Sequence, residues 1–127
     1  MIELKRTLRG NPQDLTAPVK HYAQVAPGSE VSLERLAYLV SNQCTVREAD
    51  CLAVLTALVH NVQDELSQGR TVDLGVLGRL RVGVRSFGYN LPEEVTSAAV
   101  KKAHIIFKPG KRLRDMLATA KFRMKDG

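Results

Sequence analysis

The sequence has no tryptophan and only three phenylalanines and three tyrosines, so any core it forms must be built from aliphatic side chains. No apolar run approaches the roughly 18 residues that cross a bilayer, and no membrane association is expected. The first ten residues, MIELKRTLRG, are charged and lack the apolar stretch of a secretory signal, which makes a cytoplasmic location the expectation. There are two cysteines, Cys44 and Cys51. Their spacing fits neither a CxxC pair nor a zinc pattern, so both are expected to be small, reduced core residues and no metal site is anticipated.

Catalytic patterns are missing too. There is no GxSxG, HExxH, phosphate-binding loop or GxGxxG. His21, His60 and His104 stand apart in sequence. His60 and Asp64 lie one helical turn apart, the spacing of an exposed surface pair. Glu93 and Glu94 are adjacent, and on a strand they would point to opposite faces, a poor acid–base dyad. An enzyme is not expected, nor a cofactor or small-molecule substrate.

What is present is positive charge, unevenly placed. The chain of 127 residues carries a net +6. Residues 1–30 contribute +1, residues 31–78 contribute −3, and residues 79–127 contribute +8 from twelve basic and four acidic groups. A basic C-terminal part beside an acidic middle suits a polyanionic partner.

Hydrophobic patterning divides the chain into strands and helices. Ile2, Leu4 and Leu8 alternate with polar residues as in a half-buried strand, RGNPQD reads as a turn, and a second strand is expected through Val19–Val25. Ser32 is a candidate N-cap for a helix ending near Gln43. Thr45-Val46-Arg47-Glu48 has the form of a capping box opening a second helix, which Gly69 closes. That helix carries Leu52, Leu55, Val59, Val62 and Leu66 at steps of three and four. The apolar seam is wider than two helices can cover for each other, so a partner chain is expected to cover it. Leu80, Val82 and Val84 then alternate with Arg79, Arg81, Gly83 and Arg85, which puts the three arginines on one strand face. A strand is expected again from Val100 to Phe107, then a short helix through GKRLRDMLA, then a last strand carrying Phe122 and Met124 that pairs with the first. The order ββ-αα-ββ-β-α-β is an α+β arrangement.

Two stretches carry a resemblance. Gly75-Val76-Leu77-Gly78-Arg79-Leu80-Arg81-Val82 is similar to the "G-x-G-x-F-x-V" strand of the bacterial histone-like HU/IHF family. Phe107-Lys108-Pro109-Gly110-Lys111-Arg112-Leu113 is similar to its "F-x-P-G-K-x-L" segment. Lys5, Arg9, Asn11-Pro12, Asp14, Ala17-Pro18, Lys20 and Tyr22-Ala23 resemble the opening of the longer HU-related proteins typical of Bacteroidetes, with His21 replacing one aromatic. The resemblance implies an HU/IHF-like fold: a two-helix base, a β-saddle and a β-ribbon arm, in an intertwined homodimer. Residues 1–30 would form an N-terminal β extension, and residues 31–127 the HU-like DNA-binding domain with its C-terminal strand.

The implied function is architectural, in the nucleoid. The protein would bind duplex DNA with low sequence specificity through phosphates and bend or compact it. HU and IHF are architectural proteins that bind the minor groove. The DNA-binding residues would be Arg79, Arg81, Arg85, Lys101, Lys102, Lys108, Lys111, Arg112 and Arg114, with the start of the short helix offering amides to a phosphate. The family's basic "R-N-P-x-T-G" arm tip is replaced here by Leu91-Pro92-Glu93-Glu94. Leu91 or Pro92 would wedge between base pairs if the two carboxylates faced away, and the plainer reading is a solvated turn with no wedge. A rival function is a dimeric protein-interaction module that has lost its DNA arm and recruits a partner through the N-terminal β extension. RNA is a further candidate for the same cations.

Overall fold

The computed structural model describes residues 1–10 and 13–125. Asn11 and Pro12, the centre of the expected RGNPQD turn and part of the N-terminal resemblance, lie outside the described residues. The chain forms two compact units, residues 1–30 with the chain from Met116 onward, and Val31–Asp115.

The first unit is a three-stranded sheet in the order β2-β1-β6. Strands β1 (Ile2–Arg9) and β2 (Lys20–Val25) are antiparallel, with Leu4 opposite Val25 and Arg9 opposite Lys20. The last strand, β6 (Phe122–Met124), lies parallel to β1, with Ile2 opposite Phe122 and Leu4 opposite Met124. Ile2, Leu4, Phe122 and Met124 thus share one face, which is why the alternating tail pairs with the alternating start.

The second unit begins with α1 (Leu33–Gln43) and α2 (Glu48–Ser67). Ser32 caps α1, its Oγ accepting from the Arg35 N–H at 3.1 Å. The expected capping box does not form. Thr45 and Val46 lie in a bend, and Arg47 is the N-cap of α2 with no side-chain hydrogen bond. The Arg47 carbonyl accepts the first intrahelical bond, from the Cys51 N–H at 2.9 Å, which places Glu48 and Asp50 in the first turn where the helix dipole favours acidic residues. Gly69 closes α2 with φ +79°.

The expectation for the cysteines is half corrected. Cys51 is buried, and burial pushes its thiol upward, helped by neighbouring Cys44. Cys44 itself is exposed and donates to the Val40 carbonyl at 3.2 Å.

The helices leave much apolar surface open. Among the described residues only Ala26, Ala37, Cys51, Gly78 and Ala99 are buried, and no large side chain is fully covered. On α2, Val54 is 65 % exposed and Val59 56 %.

The second sheet has the order β3-β4-β5, from β3 (Val72–Asp73), β4 (Gly78–Ser86) and β5 (Val100–Pro109). A short 3-10 turn, Gly75–Leu77, joins β3 to β4. Helix α3 (Lys111–Ala118) follows β5. Among the described residues no helix is long and apolar enough to cross a membrane.

Candidate nucleic-acid interface

Strands β4 and β5 form a long antiparallel ribbon. Its register sets Arg79 opposite Lys108, Arg81 opposite Ile106, Gly83 opposite His104, and Arg85 opposite Lys102. Opposed residues in a ladder project from the same face, and so do alternate residues along a strand. One face therefore carries Arg79, Arg81, Arg85, Lys102, His104 and Lys108, and the other carries Leu80, Val82, Val84, Ile105 and Phe107.

Two rungs, Arg79–Lys108 and Arg85–Lys102, place like charges directly opposite each other, which destabilises a ladder. Arg79 gains partial relief from Asp73, its neighbour across β3, at 3.4 Å. Lys111 pairs with Asp115 at 2.7 Å. Both pairs are solvent-exposed and weak. The other seven candidate cations have no carboxylate within salt-bridge distance among the described residues. Such a surface attracts phosphates and gains entropy by releasing their counterions.

Lys101 falls outside this row. The register shifts between Arg85 and Ser86, and Ser86 pairs with Val100, so Lys101 sits in the irregularity. Its ammonium lies 5.5 Å from the centre of the Phe87 ring. Simple alternation along the sequence cannot show a bulge of this kind.

The two family-like motifs meet at the root of the ribbon. Gly78 has φ +147°, and a Cβ there would strike the Phe107 ring and the Lys108 carbonyl. A Cβ on Gly110 would strike the Val76 carbonyl, and the Gly110 N–H donates to the Leu77 carbonyl at 2.9 Å. The paired glycines let the segment before β4 and the segment after β5 lie against each other. This joint brings Arg79, Lys108, Lys111 and Arg114 around one open recess, beside the first turn of α3. The Arg114 N–H already donates to the Gly110 carbonyl at 3.0 Å, so the amides free for an anion are those of the preceding turn. Arg112, the remaining candidate on α3, is exposed but does not line the recess.

At the far end of the ribbon the chain forms two 3-10 turns, Pro92–Glu94 and Ser97–Ala99. Glu93 and Glu94 lie in the first of these, not on a strand. Leu91 precedes the turn and is 56 % exposed, and Pro92 is its first residue. Ala99 is buried, and its carbonyl accepts from the Phe87 N–H at 2.9 Å.

Two residues of the cationic face were not singled out from sequence. Asp73 and His104 belong to it, and the alternation Lys102, His104, Ile106, Lys108 carried the signal for His104. The pocket at Arg85, Lys102 and His104 lies toward the far end of the ribbon, away from the recess at the root. His60 and Asp64 form the exposed pair expected of their spacing, at 3.3 Å. Among the described residues no group of three or more His, Cys, Asp or Glu is placed to hold a metal ion.

Comparison with known proteins gives this geometry a setting. None of the curated proteins matches the chain. Among solved structures, one from Bacteroides vulgatus ATCC 8482, named a "Putative bacterial DNA binding protein", matches with a TM-score of 0.67 at 18 % identity. The match covers 97 % of this chain and 48 % of that one, so the chain spans about half the length of that structure. At this identity the likeness speaks for the fold alone. A family model described as "HU domain fused to wHTH, Ig, or Glycine-rich motif" matches residues 2–124, nearly the whole chain. The mixed helix-and-sheet architecture, the glycine-built joint and this match together place the chain in that family of HU domains.

Proposed function

We propose that the protein is an architectural DNA-binding protein, which grips duplex DNA through its phosphates with low sequence specificity and bends or compacts it. The observation that carries this reading is the cationic face of the β4–β5 ribbon, where like charges oppose each other and most lack an acidic partner among the described residues. A duplex supplies the missing negative charge at regular intervals. Contacts of this kind position a protein on DNA and read little sequence. Arg79, Arg81, Arg85, Lys102 and Lys108 form the row. Lys111, Arg112 and Arg114 extend it at the root, and Lys101 flanks it. In this reading residues 1–30 are an extension to an HU-like domain of residues 31–127, acting in the nucleoid.

The active form in this reading is an intertwined homodimer. The chain exposes 10883 Å². Two bodies with about one third and two thirds of its mass, each compact by itself, would expose only about 8,000 Å². The surplus of about 2,900 Å² per chain, about 5,800 Å² for a pair, is of the size large obligate interfaces bury. The open faces of α1 and α2 are where a second copy fits.

The test is a gel-shift titration on linear, nicked and four-way-junction DNA at two salt concentrations. Tighter binding to the bent forms, weakened by salt, is the expected result. Absence of binding at low salt would overturn the reading.

The acidic turn Pro92–Glu94 favours a second reading, a dimeric protein-interaction module whose arm no longer engages DNA. Carboxylates beside phosphates are repelled. A pull-down from native lysate whose partners survive nuclease treatment would favour that module.

A further inference from the structure

The N-terminal sheet carries a second cationic face, and the inference drawn from it rests on the DNA-binding reading and extends it to a part of the chain given no DNA contact above. Its register sets Arg9 opposite Lys20, Thr7 opposite Tyr22 and Lys5 opposite Gln24. On the other side of β1, Glu3 stands opposite Arg123. All eight residues therefore share one face of the sheet, while Ile2, Leu4, Val25, Phe122 and Met124 share the other. Glu3 is the one acidic residue on the cationic face among the described residues, and its carboxylate is taken by Arg123 at 2.8 Å.

The strongest point of this face is built rather than merely charged. Arg9 and Lys20 are a like-charge rung, and neither has a carboxylate partner among the described residues. Both line an open recess walled by Gly10, Ala17 and Pro18, with Tyr22 beside them. The Arg9 guanidinium lies 5.7 Å from the centre of the Tyr22 ring, within cation–π range. Asp14, the acidic residue nearest in sequence, is tied into its own turn, where its Oδ1 accepts from the Thr16 N–H at 3.0 Å and the Thr16 hydroxyl at 2.6 Å.

We propose that this face binds the phosphate backbone of duplex DNA, with Arg9 and Lys20 as the phosphate seat and Lys5 along the same strand as a further contact. The rung of cations, the recess and the guanidinium beside Tyr22 fit an anion held at a fixed place. Apart from Tyr22 the face has no large apolar side chain among the described residues to insert into a bilayer, and its cations repeat along a strand as phosphates repeat along a duplex. Two phosphate-binding surfaces on one chain raise each other's effective concentration, so the second one adds affinity wherever the duplex reaches both.

The test compares the full chain with the variant R9Q/K20Q on a long duplex, by the slope of log affinity against log salt. Each lost phosphate contact lowers that slope by about 0.9, so the double variant should lose nearly 2 per chain, and K5Q, which disturbs no hydrogen bond of the fold, about 1. Far-UV circular dichroism checks that each variant folds, and K5Q carries the test by itself if the double variant does not. Unchanged slopes in folded variants, with the wild type still binding, would overturn this face and leave the ribbon reading intact. A wild type that does not bind DNA overturns both. Variants that lose binding to an RNA hairpin while holding duplex DNA normally would assign the face to RNA and overturn the proposal as well.

Discussion

Arg85 of β4 and Lys102 of β5 stand directly opposite each other across the ribbon, two cations on one rung. For the isolated protein this arrangement is a cost. For a protein wrapped on a polyanion it is a pair of phosphate contacts held at fixed spacing.

Replacing both with glutamine should therefore separate stability from binding. Removal of the repulsion should leave the protein as stable as before or more so, by a few tenths of a kcal/mol up to about 1 kcal/mol. Duplex affinity should fall, and the salt slope should drop by about 2. Thermal melting and a salt titration on the same preparation check the two halves together.

The glycine joint makes a prediction of the opposite kind. Gly78→Ala forces a Cβ against Phe107 at a positive φ, and Gly110→Ala forces one against the Val76 carbonyl. Each should cost about 1–3 kcal/mol by overpacking, Gly78→Ala the more because of its backbone conformation. Urea unfolding measures this, and the midpoint should move to lower urea for both.

The exposed seam on α2 predicts a dimer whose stability depends on concentration. The wild type should sediment at about twice 14.0 kDa, and its melting temperature should rise with protein concentration. Val54→Asp with Leu58→Asp should abolish that dependence and lower the melting temperature. On a self-sufficient monomer, two such exposed substitutions would each change stability by no more than about 0.5 kcal/mol.

Helix capping supplies a local contrast. Ser32→Ala removes a formed cap bond and should cost about 0.5–2 kcal/mol, whereas Thr45→Ala should be close to neutral because Thr45 caps nothing. Equal losses for the two would contradict the start of α2 at Glu48.

Much of this architecture was readable from residues alone. The span from Ser32 to Gln43, the stop at Gly69 and the arginine-bearing strand follow from capping, left-handed glycine and period-two alternation. These are local rules, and each element obeys its own. The readings that failed needed non-local information. Thr45 to Glu48 has the letters of a capping box, yet the helix starts two residues later, with Arg47 as its N-cap after a bend at Thr45 and Val46. Lys101 is expected among the DNA contacts beside Lys102, but it sits in the register shift between Arg85 and Ser86, off the cationic row. The turn reading of Leu91 to Glu94 agrees with the structure, where Pro92 opens a 3-10 turn. Cys44 was expected in the core by its residue type, and it ends α1 at the surface. The pairing of β4 with β5 decides which cations stand together, and no single strand records its partner's register.

The most direct test of the central claim is the dissociation constant of the wild type for a linear duplex, followed from roughly 50 to 200 mM salt. With seven candidate cations on each chain lacking an acidic partner among the described residues, affinity should fall by at least about a thousandfold over that range. An affinity that stays level as salt rises would contradict a grip made through phosphates.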